Sequence, residues 1–142
     1  MTTTLASPGL GSGLDVNAIL SSRHYLLVAT DDGLSVRNAY TEKWAHFTAK
    51  EGLPVNYVQC LAEFGAEILV GTWGGGVRFF DPLKGTFRDF PVAGFEGQHV
   101  TAILADAGTK RVAVGSLRHG LALVSPAGVK VLKGGDGLPS DR

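Results

Sequence analysis

Residues 67–80 read EILVGTWGGGVRFF and give the strongest indication of the fold. An apolar run ends in Val-Gly-Thr, a Trp with three glycines follows, and a second apolar run begins directly afterwards. Short runs rich in Val, Leu and Phe, separated by glycines, are typical of strands that are joined by tight turns. The stretch therefore predicts two neighbouring strands with a glycine-rich turn between them.

The same pattern occurs once on each side of this central stretch. Residues 25–37 (YLLVATDDGLSVR) and 111–124 (RVAVGSLRHGLALV) each carry an apolar run, a Val before two small residues, and a Gly before an apolar residue. The three valines, Val28, Val70 and Val114, lie 42 and 44 residues apart. A period of this length with strand-like content is typical of four-stranded propeller blades.

This period divides the chain into a leader and three blades. The leader with the first inter-blade connection is 1–15, and the blades are 16–56, 57–99 and 100–142. We therefore predict an all-β fold of three four-stranded antiparallel blades. No stretch has a sustained helical period, so we expect almost no helix.

The middle repeat gives the clearest strand boundaries. We expect strands at residues 57–63, 67–72, 76–80 and 86–90. Side chains alternate between the two faces of a strand, so Val58, Cys60 and Ala62 are expected on one face of the first strand. We therefore expect Cys60 to be an inert core thiol rather than a reactive one.

Several spaced elements around the first blade junction match the repeats of a known family in order. They are Trp44 with Phe47, Gly52-Leu53-Pro54-Val55-Asn56 with Val58, Val70-Gly71-Thr72, Gly75-Gly76-Val77 and Phe80-Asp81. In these residues the chain resembles the two-component regulator propeller family, over roughly residues 16 to 142. The resemblance implies a sensor region ahead of a signalling output, held outside the cytoplasmic membrane. It thus implies recognition rather than catalysis.

Composition excludes some partners and leaves the compartment open. Thirteen basic residues balance thirteen acidic ones, so the chain lacks the charge that binds nucleic acid or an anionic membrane. No apolar run is long enough to cross a membrane, and the first residues do not have the pattern of a signal peptide. Only the family resemblance suggests a periplasmic or other extracytoplasmic location.

An arc of three blades would leave an apolar face uncovered at each end. Closed propellers usually have about 4 to 8 blades, which covers such faces. Two chains arranged head to tail would give six blades, whereas three would give nine. We therefore expect a homodimer that closes a six-bladed ring. The alternative is that the chain is a piece of a longer single-chain propeller.

The turns between second and third strands and the connections between blades are expected at one rim of the blades, where a small ligand or protein could bind. The candidate residues at this rim are Asp31, Asp32, Asn56, Trp73, His99, Arg118 and His119. Trp73 is the strongest candidate, because a Trp beside bare glycine backbone suits stacking. Simpler roles are packing for Trp73, capping of its own turn for Asn56, and a solvated turn for Arg118 and His119.

Catalytic and metal-binding patterns are scarce in the sequence. The four histidines have no metal-ligand spacing, and we expect no catalytic residue, metal or cofactor. The predicted function is a non-catalytic recognition module that senses a ligand or holds a protein. One alternative is a lyase-like propeller enzyme with His99 or His119 as general base. Another is a purely structural propeller fragment that self-assembles.

Overall fold

The computed structural model describes residues 15–90, 98–118 and 120–132. The leader up to residue 14, the candidate His119 and the end of the third repeat, 133–142, lie outside these ranges. The first four strands are β1 (Val16–Ser22), β2 (Tyr25–Thr30), β3 (Gly33–Asn38) and β4 (Trp44–Phe47). The next four are β5 (Val58–Phe64), β6 (Glu67–Thr72), β7 (Val77–Asp81) and β8 (Thr86–Asp89). The last four are β9 (Val100–Asp106), β10 (Arg111–Ser116), β11 (Gly120–Ser125) and β12 (Gly128–Leu132).

These strands form three separate four-stranded antiparallel sheets, each in the order of the chain. The all-β prediction of three four-stranded blades is thereby confirmed. One 3₁₀ turn, Ala49–Glu51, interrupts the strands, and Thr48 and Glu51 cap it reciprocally. In the described residues, no helix is long and apolar enough to cross a membrane.

Two apolar layers hold the three sheets together, and each layer lies between consecutive sheets. The first interface contains Leu27, Ala29, Leu34 and Val36 from the first sheet and Val58, Ile68, Val70 and Phe80 from the second. The second interface contains Leu69, Val77, Phe79 and Phe90 from the second sheet and Val100, Val112, Val114 and Ala122 from the third. The middle sheet is therefore buried on both faces, as its continuous apolar strands predict.

A β-bulge near the start of each first strand changes which face its side chains reach. Val58 lies opposite Thr72 and Cys60 lies opposite Gly71, so Gln59 is the extra residue. Because a bulge shifts the alternation by one residue, Val58 packs in the first interface while Cys60 packs in the second. The expectation that Val58, Cys60 and Ala62 share one face is therefore wrong.

A hydroxyl side chain closes the turn after the second strand in all three sheets. Thr30 Oγ1 donates to the Gly33 carbonyl at 3.0 Å, and Thr72 Oγ1 donates to the Gly76 carbonyl at 2.7 Å. Ser116 Oγ donates to the Gly120 carbonyl at 3.2 Å. This bond explains why a Thr or Ser ends each Val-containing repeat motif.

Two repeat glycines are required by close packing between blades. A Cβ on Gly71 would lie 2.5 Å from Cys60 Sγ and 2.8 Å from Val100 Cγ1 of the next blade. A Cβ on Gly75 would lie 2.7 Å from Pro54 Cβ, in the connection that enters the blade. The Val-Gly-Thr, Gly-Gly and Gly-Leu-Pro motifs therefore mark places where neighbouring segments touch.

Candidate functional site

Backbone hydrogen bonds join two sets of loops at one end of the sheets. The N–H groups of Asp31 and Trp73 donate to the carbonyls of Asp15 and Tyr57 at 3.3 and 2.9 Å. In the third sheet, the Leu117 N–H donates to the His99 carbonyl at 2.8 Å. Each bond links the turn after the second strand of a sheet to the segment just before the first strand of the same sheet. We call these joined turns and segments the loop face.

An aromatic cluster of Tyr57, Trp73 and His99 occupies the loop face at the second junction. The Trp73 and His99 rings meet edge to face with centroids 4.6 Å apart, and the Tyr57 ring lies 6.4 Å from Trp73. The N–H groups of Gly74 and Gly76 both donate to the Gln98 carbonyl, at 3.2 and 3.0 Å. Trp73 remains half-buried, so part of its ring packs on the neighbouring segment and part faces solvent.

A polar pair, Asp32 with Asn56, occupies the equivalent place at the first junction. Asn56 Nδ2 donates to Asp32 Oδ1 at 3.3 Å, and Asn56 Oδ1 accepts from the Ala49 N–H at 2.8 Å. Asn56 thus bonds to the backbone within its own connection and also to the turn after β2. Because Asn56 and Tyr57 are consecutive, the polar pair and the aromatic cluster are neighbours on the loop face.

The remaining candidates contribute less to a common site. Asp31 precedes Asp32, and its buried Oδ1 has no hydrogen-bond partner among the described residues. Arg118 is exposed in the turn of the third sheet and has a positive φ of 75°. His119 lies outside the described residues. The structure thus brings Asp32, Asn56, Trp73 and His99 to one surface.

The surroundings of Cys60 and Glu51 shift the pKa values of these two side chains. Burial raises the pKa of the Cys60 thiol to about 12. Cys60 is therefore a neutral thiol at physiological pH, which agrees with an inert core role. Hydrogen bonds from the Thr48 N–H and hydroxyl lower the pKa of Glu51, which caps the 3₁₀ turn. Within the three described ranges, no three His, Cys, Asp or Glu side chains come together as a metal site.

Several residues outside the candidate set shape these contacts. Tyr57 and Gln98 complete the aromatic cluster and its backbone bonds, and both lie just before a first strand. Asn17, the extra residue of the first bulge, donates through Nδ2 to the Val58 carbonyl of the next blade at 2.9 Å. Their positions beside the aligned valines Val16, Val58 and Val100 are the signal that could have found them.

Comparison with known proteins gives structural relatives but no sequence family. No protein-family model and no curated protein matches the chain. The extracellular domain of BT4673 from B. thetaiotaomicron, assigned to a one-component system, is 24% identical with a TM-score of 0.68. The match covers 82% of this chain and 16% of that one. The fold is that of three consecutive β-propeller blades.

Two further solved structures show the same fold. The extracellular domain of BT3049 from B. thetaiotaomicron, assigned to a hybrid two-component system, has a TM-score of 0.67 and 19% identity, over 86% of this chain and 19% of that one. The computationally designed protein Ika4 has a TM-score of 0.68 and 17% identity, over 92% of this chain and 78% of that one. The chain thus spans less than a fifth of the two natural domains. These domains belong to the kind of signalling protein that the sequence repeats resemble.

Proposed function

We propose that this chain is a non-catalytic recognition module and that its loop face binds a small ligand or a protein segment. The observation that carries the proposal is the half-buried Trp73, which packs on His99 in a glycine-rich turn of the same loop face that holds the Asp32–Asn56 pair. An aromatic face with adjacent amide and carboxylate groups suits a ligand that has both a flat apolar side and polar groups.

The loop face is held in place before any ligand arrives. Thr72 closes the turn that carries Trp73, and the Gln98 carbonyl fixes Gly74 and Gly76 from the other side. Little conformational entropy is then lost when a ligand binds, because the contacting groups are already ordered. This rigidity favours recognition over a role as a plain connecting loop.

We further propose that the module acts in an extracytoplasmic sensor. The sequence repeats resemble those of a sensor family, and the similar natural structures are extracellular domains of signalling proteins. The lyase-like alternative would require a histidine paired with an acid or a second histidine. The His99 ring packs edge to face on Trp73, and a Cβ placed on Gly74 would lie 3.7 Å from its Nε2.

Trp73 fluorescence provides a direct test in a Trp44→Phe chain, where Trp73 is the remaining Trp. We would titrate two probe classes separately: glucose-based oligosaccharides, and short peptides that contain aromatic residues. Saturable fluorescence change with one class is expected, together with amide NMR shifts at Trp73, His99 and Asn56.

The matched controls use substitutions at both ends of the sheets. Trp73→Ala should reduce affinity by at least about tenfold, as expected for loss of a central aromatic contact. Leu83→Ala changes an exposed side chain in the turn between the third and fourth strands, at the other end of the sheet, and should leave affinity unchanged. Shifts confined to the Leu83 end, or cleavage of the oligosaccharide with loss of cleavage in His99→Ala, would contradict the proposal.

A further inference from the structure

Two apolar side chains are exposed at opposite ends of the arc of blades. Leu104, on the third sheet, is 75% exposed, and Ile19, on the first sheet, is 66% exposed. Their equivalents in the inner blades are covered, because Leu20 and Leu61 pack in the first interface while Ala62 and Ile103 pack in the second. Leu104 stands at the position of Leu20 and Ala62 in its blade. Ile19 stands at the position of Leu61 and Ile103.

The uncovered face of the third sheet also contains a hollow. Its volume is about 610 Å³, and its apolar lining includes Leu104, Ala113 and Leu123. The hollow is formed by β9, β10, β11 and β12, which is the set of strands that an adjoining blade would cover. Leu123 stands at the position of Phe79, which is buried in the second interface.

A contact between a glycine of one blade and a Val of the next is made inside the arc, and its glycine recurs on the uncovered face of the third sheet. Gly71 lies against Val100 and Ile103 of the following blade, and a Cβ there would overlap Val100. Gly115 is the equivalent glycine of the third sheet, and a Cβ there would meet only Thr101 Oγ1 at 3.3 Å and the Ala102 carbonyl at 3.8 Å. The third sheet thus keeps the glycine, and among the described residues no Val of a following blade contacts it.

Polar side chains at the edge of the first interface also have counterparts on the uncovered faces of the third and first sheets. At the first interface, Ser22 Oγ donates to Glu63 Oε2 of the next blade. At the equivalent positions the third sheet has Asp106 and the first sheet has Ser21. A junction between these two sheets would again pair a hydroxyl with a carboxylate, with the two groups exchanged between blades.

We propose that the uncovered face of the third sheet binds the first sheet of a second copy of this chain. Leu104 and Gly115 of one copy then pack against Ile19 and Val16 of the other, in the register of the inner interfaces. A two-fold axis makes both junctions identical and closes a ring of six blades, within the usual range of about 4 to 8. This interface is separate from the loop face and does not depend on ligand binding.

Charge substitutions at the two faces test the interface in solution by light scattering after size exclusion. The unmodified chain should have about twice the monomer mass of 14.9 kDa at micromolar concentration. Leu104→Glu and Ile19→Lys should each halve the mass while strand content by circular dichroism is kept. Leu83→Glu introduces the same charge at a side chain that is 79% exposed and lies in a turn away from both faces, so it should remain dimeric.

Mixing the two variants tests the head-to-tail arrangement itself. A mixed pair has one junction where the introduced glutamate faces the introduced lysine, and a second junction that is unmodified. An equimolar mixture of Leu104→Glu and Ile19→Lys should therefore regain the dimer mass that each variant lacks alone. A monomeric unmodified chain, a dimer that survives Leu104→Glu, or a mixture that stays monomeric would each overturn the proposal.

Discussion

The middle sheet and the third sheet have the same strand pattern but different surroundings. In β6 every residue from Ile68 to Thr72 is buried, whereas in β10 only Val112 and Val114 are. Ala113 and Gly115 of β10 are less buried than Leu69 and Gly71 of β6, and both lie on the face that a following blade would cover. The comparison shows that each repeat encodes a sheet with two apolar faces, and that burial depends on the presence of a neighbour on each side.

The largest expected effect comes from truncating the same position in the two sheets. Phe79 is buried in the second interface, and Phe79→Ala should lower the free energy of unfolding by about 3–5 kcal/mol through cavity formation. Leu123 is 37% exposed at the equivalent position. Urea unfolding of Phe79→Ala and Leu123→Ala at low and high protein concentration measures the loss of unfolding free energy in each.

The two truncations should differ in how they depend on protein concentration. Phe79→Ala should destabilise the chain equally at every concentration, because its contacts lie within one chain. Leu123→Ala should have little effect on the dilute monomer and a larger effect where copies associate. Equal losses for both variants in dilute solution would show that the third sheet is already covered within one chain.

A smaller loss of stability is expected from removing the hydroxyls that close the turns of the same two sheets, those of Thr72 and Ser116. Thr72→Val keeps the side-chain shape but removes the acceptor for the Gly75 N–H, now bonded at 3.1 Å. An unsatisfied buried N–H costs about 1–3 kcal/mol, so unfolding should become easier by that amount. Ser116 is only half-buried and its bond is longer, so Ser116→Ala should cost less. Thermal unfolding measures both, and a larger loss for Ser116→Ala would contradict this order.

The smallest effect at neutral pH concerns Cys60, the half-buried thiol of the middle sheet. The pKa of Cys60 is raised from 9.0 to about 12, mainly by burial. A raised pKa means that the thiol favours the folded state below pH 9.0, and that this contribution is lost as pH rises toward about 12. At pH 8 a disulfide reagent should react with Cys60 far more slowly in the folded chain than in urea. Equal rates would contradict its burial.

The repeat period was sufficient to predict the three four-stranded sheets. The details of the site could not be predicted, because they depend on contacts that no local pattern encodes. Val28, Val70 and Val114 set the period because each blade needs the same buried strand. The bulge after Val58 could not be predicted, since a polar residue at that place also suits an ordinary exposed strand position. The Asn56–Asp32 bond joins residues 24 positions apart, one in the turn after β2 and one in the connection to β5, so no local pattern encodes it.

Sedimentation equilibrium of the unmodified chain shows directly whether the first and third sheets of two copies have complementary faces that pair. A single species of about twice 14.9 kDa at micromolar concentration is the predicted result. A folded species that stays at 14.9 kDa over the whole concentration range would contradict it.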